Sequence, residues 1–355
     1  MKKRLSRYNP TSENILQNEK NRKNIGNELN DINGITVCGT ILKGVGGIYS
    51  VYSDGITYSC QARGLFRHEK IKPLPGDRVN ILARKDRVIK NEDDGGDGVI
   101  KEILPRKNSL IRPPLANIDN LFVIIASAYP DPSTVIADKL ITIAEFNGIE
   151  PVIIISKSDL APDSAAHTSD IYRKCGFNIF VTSSEKKEGI GELRNFIIEK
   201  CSNSVNTFAG VSGAGKSTLM NTLFPSLSLE TGELSQKIGR GKNTTRTSEL
   251  FTMRELFDDL NVLEEDKLMH GFLADTPGFS MIDFTRFDFY GKNDLPYTFR
   301  EFRPFLTKCR YTKCTHTKED GCAILQAIKN GIIPEERHQS YLEIYNDIKD
   351  KHAWD

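Results

Sequence analysis

The run Gly210-Val211-Ser212-Gly213-Ala214-Gly215-Lys216-Ser217 constrains the fold of this 355-residue chain more than any other feature. It fits G-x-x-x-x-G-K-[ST]. The glycines let successive backbone N–H groups turn inward around phosphate oxygens. A helix N-terminus directly behind the loop adds its positive end. Here TFAG precedes the loop and KSTLMNTLF, a good helix former, follows it. Lys216 is then placed to reach the β- and γ-phosphates and Ser217 to ligate Mg²⁺, with Thr218 beside them. The bland alternative is a Gly-rich turn that binds nothing.

The surrounding text reads as α/β. LFVIIASA, PVIIIS and NIFVTSS are apolar runs of strand length, and LMHGFLAD is a further one. DPSTVIADKLITIAEFNG reads as a helix with a Gly stop, DIYRKCG as a short helix and GIGELRNFIIEK as another. Strands alternating with helices imply a parallel sheet covered on both faces. Upstream, about residues 34–108, the texture is different. ITVCGTIL, GIYSVYS, ITYSCQA, DRVNILA and GVIKEIL alternate between turn signals such as Pro-Gly-Asp, which argues for a small OB-type β-barrel. Arg63, Arg67, His68, Lys70, Lys72, Arg84, Lys85 and Arg87 lie in that segment. They suit a single-stranded nucleic acid, or they are an ordinary solvated surface.

Three further elements complete a nucleotide site. Asp275-Thr-Pro-Gly278 ends an apolar strand; the Asp supports Mg²⁺ and the Gly278 N–H can sense a γ-phosphate. Thr244 and Thr245, in GRGKNTTR, are candidates for a Mg²⁺ ligand on a loop that closes over a triphosphate. Ser156-Lys157-Ser158-Asp159 follows a strand directly. A carboxylate such as Asp159 accepts two hydrogen bonds from guanine and is left unpaired by adenine. Lys157 would lie along the base, and Thr182-Ser183-Ser184 could offer backbone N–H to guanine O6. GTP is therefore the expected nucleotide, with a P-loop ATPase or kinase as the alternative.

Cys309-x₄-Cys314-x-His316-x₅-Cys322 offers three thiolates and one imidazole in a loop-rich stretch. That closed Cys₃His set suits one structural Zn²⁺ with no open position. A redox pair or coincidental core cysteines are the alternatives. Cys38, Cys60, Cys175 and Cys201 read as small core residues, and the remaining histidines as structural or surface groups.

The order of these motifs is unusual. Base loop, partner loop, P-loop, Thr loop and DTPG appear in that sequence, whereas Ras-like GTPases begin with the P-loop. This is a circular permutation. Permuted order, preceding barrel and following Cys/His cluster together resemble the RsgA (YjeQ) family of GTPases that depend on the small ribosomal subunit. RGLFR, PGDRV, ILPRKNSLIRPPLANID, GVSGAGKSTLMN, GRGKNTTR, DTPGFS and GCAILQAI carry the likeness over about residues 34–350. The resemblance implies GTP hydrolysis, GTP/GDP and Mg²⁺ as bound species, and a role in late maturation of the small subunit. It also implies contact with that subunit and its rRNA through barrel and zinc domain, with hydrolysis releasing the protein. Lys216, Thr245, Asp275 and Gly278 are the candidate catalytic set. The chain departs from the family in three places. Ser156 stands where asparagine is usual, Asn243 where a histidine precedes the two threonines, and the segment at about 249–269 is longer. Phe279 is apolar, as in the family, where Ras-like proteins place a water-orienting Gln. Slow unaided hydrolysis is expected, and a GTP-holding ribosome-binding module with little hydrolysis stays open beside it.

Composition adds bounds. Lys plus Arg number 48 against 47 Asp plus Glu, so bulk charge says nothing about nucleic acid. No stretch approaches the roughly 18 apolar residues of a membrane span, and the polar N-terminus has no signal-like apolar run. A cytoplasmic monomer with free thiols is expected. The expected layout is a polar tail at 1–33, mobile or ordering on RNA, then the barrel at 34–108. A permuted G domain follows at 109–284, and a helical zinc-binding domain at 285–355.

Overall fold

A computed structural model describes residues 34–62, 72–84, 96–225, 248–257, 270–275 and 290–349. The chain divides into two compact units, residues 1–105 and 106–355.

In the first unit β1 (Ile35–Val45), β2 (Ile48–Ser53), β3 (Ile56–Ala62), β4 (Arg78–Ala83) and β5 (Gly98–Ile103) close a barrel in the order β1-β2-β3-β5-β4. All five expected runs are strands. Closure comes from the long β1, which pairs with β2 at one end and β4 at the other, and a bulge between Ile41 and Lys43 bends it. Only β3 and β5 pair in parallel. Ile41, Val51, Cys60, Val79, Ile81 and Ile100 fill the interior with no exposed surface. Asp77 is buried at the Pro-Gly-Asp turn, where its carboxylate accepts the Leu74 N–H at 2.7 Å. Of the basic residues expected on this barrel, Lys72 and Arg84 are described and the other six lie outside the described residues.

The second unit opens with a short hairpin, β6 (Ser109–Leu110) and β7 (Leu115–Ala116). Its centre is a sheet of β8 (Asn120–Ala126), β9 (Glu150–Ser156), β10 (Asn178–Val181), β11 (Val205–Gly210), β12 (Glu249–Thr252) and β13 (Phe272–Asp275). The spatial order is β10-β9-β8-β11-β13-β12. Every pairing is parallel except that of edge strand β12, which runs antiparallel to β13. β12 falls within the segment noted above only for its length. Four residues between polar neighbours give no periodic signal.

Helices α1 (Thr134–Phe146), α2 (Pro162–Lys174), α3 (Ile190–Lys200) and α4 (Lys216–Leu223) connect the strands, and α5 (Met253–Leu256) is a single turn. α2 is longer than DIYRKCG suggested. It starts at Pro162, in the first turn where a missing N–H costs nothing. Its buried face is made of Ala165, Thr168 and Ser169 as well as Ile171 and Tyr172, so small and polar residues hid the apolar stripe. Among the described residues no helix is long and apolar enough to cross a membrane.

The C-terminal part belongs to the same unit and carries α6 (Ala323–Lys329) and α7 (Glu335–Ile348). What fastens it is Arg337, a side chain with no exposed surface. Its guanidinium bonds Asp138 of α1 and, at 2.6 Å, Glu301. It also lies over the rings of Phe299 at 4.7 Å and Tyr172 at 5.5 Å. Burial pushes the Asp138 carboxyl up, against the pull of Arg337 and a 2.8 Å hydrogen bond from the Tyr172 hydroxyl. Outside this centre Arg300 holds Glu145 at 2.5 Å and Glu150 at 3.0 Å, and Lys139 holds Asp347 at 2.7 Å. Removing one partner of a buried ion cluster leaves the others uncompensated. Arg337→Ala should therefore cost about 3–5 kcal/mol. Urea unfolding of the full chain tests this; a loss below about 1 kcal/mol would show that the cluster contributes little net stability.

Candidate nucleotide site and metal knuckle

In a parallel sheet the loops at the carboxyl ends of the strands gather on one edge, where ligands bind. Here that edge collects Ser127 to Pro130 after β8, Ser156 to Asp159 after β9 and Thr182 to Ser184 after β10. Gly210 to Lys216 after β11 and Asp275 at the end of β13 join them. Because β12 is antiparallel and its Glu249 pairs with Asp275, the chain enters β12 from the same edge. The residues expected of the base loop, partner loop and P-loop are thus brought together, and Asp275 joins them by strand position. Thr244, Thr245 and Gly278, with Asn243 and Phe279, lie outside the described residues.

The loop after β11 has the backbone that its glycines predict. Gly213 and Gly215 take φ of 82° and 86°, the left-handed region open to glycine. A Cβ on Gly210 would lie 2.7 Å from the Ile124 carbonyl, so strand and loop meet too closely for a side chain. Ala214 is fully buried and its N–H closes a turn onto Val211 O at 3.1 Å. Lys216 and Ser217 open α4 half-buried, while Ser212 and Thr218 are exposed.

The base loop grips this turn. The Ser156 hydroxyl donates to Ala214 O at 2.6 Å, and Lys157 Nζ donates to Gly213 O at 2.7 Å and to the Tyr129 carbonyl. Lys157 itself adopts φ 57°, and its carbonyl accepts the Ser127 hydroxyl at 2.6 Å. A bulky residue in this region is uncommon and marks a constrained site. The Asp159 carboxylate, half-buried, accepts the Ser183 hydroxyl at 2.6 Å. Ser158 N–H bonds Thr182 O at 3.2 Å, and Ser183 pairs with Glu188 across a tight return. Gly189 makes that return possible, since a Cβ there would lie 2.0 Å from Val181 O. Tyr129 was missed in sequence because it contributes through its carbonyl, which no side-chain pattern reports.

The second site is the knuckle of Cys309, Cys314, His316 and Cys322, whose ligand atoms lie within 4.8 Å of one another. Cys309 Sγ is 3.9 Å from Cys322 Sγ, and His316 Nδ1 is 3.6 Å and 3.5 Å from those two sulfurs. Tetrahedral zinc with bonds near 2.3 Å to sulfur and 2.0–2.1 Å to nitrogen has edges of about 3.8 Å and 3.5 Å. The three separations among Cys309, His316 and Cys322 match such edges, and all four ligand atoms lie within 4.8 Å of one another. Burial and the neighbouring thiols push the Cys314 thiol up to about 12, so thiolates would become favourable here only with a cation bound among them. Burial also lowers His316, favouring the neutral imidazole a metal takes.

A set of residues that the motif did not name holds the knuckle. Although burial pushes it up, hydrogen bonds keep the Glu319 carboxyl down at about 2. The donors are Thr315 N–H at 2.8 Å, Thr317 N–H at 3.0 Å, Lys318 N–H at 3.1 Å and the Thr315 hydroxyl. His316, at φ 59°, sits inside this wrap. From α7 the Tyr341 hydroxyl donates to Thr315 O at 2.7 Å and His338 Nε2 bonds His316 O at 2.8 Å. His338 is therefore structural, as expected.

Comparison with known proteins decides the relationship. The family model described as RsgA GTPase matches residues 103–285, and that of the RsgA N-terminal domain matches 38–89. The chain belongs to the RsgA GTPase family. A relative from Caldanaerobacter subterraneus subsp. tengcongensis, named small ribosomal subunit biogenesis GTPase RsgA, is 36% identical over 314 residues. The match covers 88% of this chain and 96% of the relative. A relative of the same name from Enterococcus faecalis is 38% identical over 317 residues, covering 88% and 96%. Among solved structures, YloQ, described as a circularly permuted GTPase, superposes with a TM-score of 0.69 at 30% identity. It covers 90% of this chain and 96% of its own. YjeQ from Thermotoga maritima gives the same score at 28% identity, covering 90% and 100%. The order of motifs in this family member is thus the permuted one, and family membership makes it a GTPase that works with GTP, GDP and Mg²⁺.

Partners of a metal's own ligands typically carry 10- to 100-fold in affinity. Glu319→Ala should weaken metal binding by about that factor, with Glu319→Gln falling between. Chelator competition on the full-length protein measures it, and equal affinities in all three proteins would remove Glu319 from the knuckle's support.

Proposed function

We propose that this chain hydrolyses GTP as a late assembly factor of the small ribosomal subunit, stimulated by the subunit and released on hydrolysis. The observation that carries the reading is the grip of the Ser156–Asp159 loop on the Gly213–Ala214 carbonyls, within a family whose relatives are named small ribosomal subunit biogenesis GTPase. It makes base reading and phosphate binding parts of one constructed site.

In this reading Asp159 accepts guanine N1–H and N2–H₂, and the Ser183 hydroxyl fixes the carboxylate for that task. The 182–184 loop, including Thr182 and Ser184, lines the O6 side. Backbone N–H groups of Gly210 to Lys216 wrap the phosphates at the positive end of α4, and Lys216 neutralises charge that builds on the transferred group. Mg²⁺ would be held by Ser217 and Thr244 or Thr245, with Asp275 through water, and it neutralises phosphate charge when bound. Gly278 N–H answers the γ-phosphate. One structural Zn²⁺ closes the knuckle through Cys309, Cys314, His316 and Cys322. The parts are a tail at 1–33, a barrel at 34–108, a G domain at 109–284 and a zinc-bearing domain at 285–355. Barrel and zinc domain contact rRNA, and the protein works in the cytoplasm as a monomer.

A second reading, a GTP-binding ribosome module with little hydrolysis, is favoured by Asn243 and Phe279 at the positions where a water-activating side chain would stand. Single-turnover hydrolysis with and without small subunits separates the two. Isolated protein is expected well below 1 s⁻¹, with stimulation by subunits of about 10-fold or more, abolished in Lys216→Ala. Rates unmoved by subunits would favour the module, and a rate at or above 1 s⁻¹ in the isolated protein would contradict partner dependence. Purified protein should also hold about one zinc per chain. A preparation lacking zinc whose C-terminal part is unaltered by chelation would refute the structural ion.

A further inference from the structure

The hydroxyl of Ser156 stands where the family pattern has an asparagine carboxamide, and the two groups differ in how many partners they can serve. A carboxamide has two N–H donors; a hydroxyl has one proton. Ser156 is 4% exposed. Its hydroxyl faces two acceptors, Ala214 O at 2.6 Å and Ile125 O at 3.4 Å. The single proton is committed to Ala214. The lone pairs that remain cannot serve guanine on its N7/O6 edge, because that edge carries only acceptors.

The effect of that bond falls on the phosphate loop. In a trans peptide the C=O and the following N–H point in opposite directions. Holding Ala214 O toward Ser156 therefore turns the Gly215 N–H to the side of the loop away from the base motif. Lys157 does the same service one residue earlier, on Gly213 O at 2.7 Å. Gly215 packs directly against this pair, since a Cβ there would lie 3.6 Å from Lys157 Cε and 3.9 Å from Ser156 Oγ.

We propose that Ser156 is a positioning residue for the P-loop and that this chain reads guanine with no hydrogen bond from Ser156 to N7. The proposal rests on the base-reading assignment of residues 156–159. It separates two jobs that an asparagine combines: orientation of the loop is kept, and the N7 contact is absent.

The test compares GDP with 7-deaza-GDP, in which C–H replaces N7, and with ADP, by equilibrium binding in Mg²⁺ to the full-length protein. Wild type is expected to bind GDP and 7-deaza-GDP within about twofold of each other. Ser156→Ala should weaken both by about 5- to 10-fold, equally, through loss of one buried hydrogen bond. Ser156→Asn should recover GDP affinity and disfavour 7-deaza-GDP by about fivefold or more. A merely structural role for Ser156 would not move that ratio, and thermal melts of each variant check that it is folded. GDP-selective wild type that already rejects 7-deaza-GDP fivefold overturns the proposal while leaving the base assignment standing. So does Ser156→Ala binding GDP as wild type does. Wild type with no preference for GDP over ADP removes the base assignment itself, and the N7 claim with it.

Discussion

The second unit depends on a cation with no access to water. Arg337 is surrounded by Asp138 and Glu301 and roofed by Phe299 and Tyr172. A guanidinium suits such a place because it is planar, carries five donors and is weakly hydrated compared with an ammonium. Arg337 stands on α7, and its partners come from parts of the chain far from it in sequence: α1, α2 and the stretch before the knuckle. A buried ion cluster is weak evidence of net stability, but each charge in it must keep its partner. Here that requirement holds the C-terminal part on α1, with Arg300, Arg303 and Lys139 adding contacts around the rim.

From α1 the connection runs to the nucleotide edge within a few residues. The segment before the helix supplies the Tyr129 carbonyl to Lys157, which also holds Gly213 O. At the other end of the assembly, consecutive residues of α7 face opposite tasks. Arg337 enters the cluster with Asp138, while His338 bonds the carbonyl of the ligand residue His316. Tyr341, one turn on, bonds Thr315 O. One helix therefore links the Cys/His loop to the framework that carries the Ser156–Asp159 loop.

Much of this was legible in sequence because the informative residues are backbone punctuation and side chains of fixed chemistry. Gly213 and Gly215 announce left-handed turns, Pro-Gly-Asp closes around buried Asp77, and Cys309 to Cys322 have few other uses. Strands β1 to β5 were visible from alternation, and β8, β9, β10 and β13 from apolar runs, whereas β11, with Asn206 and Thr207 buried in it, carries no such run. What stayed hidden is long-range or carried by main chain. Tyr129 acts through a carbonyl, Glu319 through a cluster of N–H donors, and α2 buries Ser169 and Thr168 where periodicity looks for leucine. Arg337 looks like a solvated helix residue until the fold brings Asp138 to it across 199 positions. The strand β12 gave no signal because four residues at a sheet edge need only their neighbour's backbone.

The same framework limits how a nucleotide signal could travel. In a permuted chain the DTPG segment leads almost directly into the part that carries the Cys/His cluster, which suggests a short mechanical path. Yet the stretch between Asp275 and Tyr290 is anchored on both sides. Asp275 ends β13 inside the sheet, and the half-buried Tyr290 donates its hydroxyl to Thr142 of α1 at 2.6 Å. Beyond Tyr290 the chain returns to α1 through Arg300 and Arg337. For the knuckle to move, the Arg337 cluster must open, and opening it exposes carboxylates that burial has kept out of water. Reorientation would then be a two-state event, not a graded one, because a buried ion cluster is either closed or hydrated. Such a barrier is more readily crossed with the binding energy of a large partner than with a γ-phosphate alone.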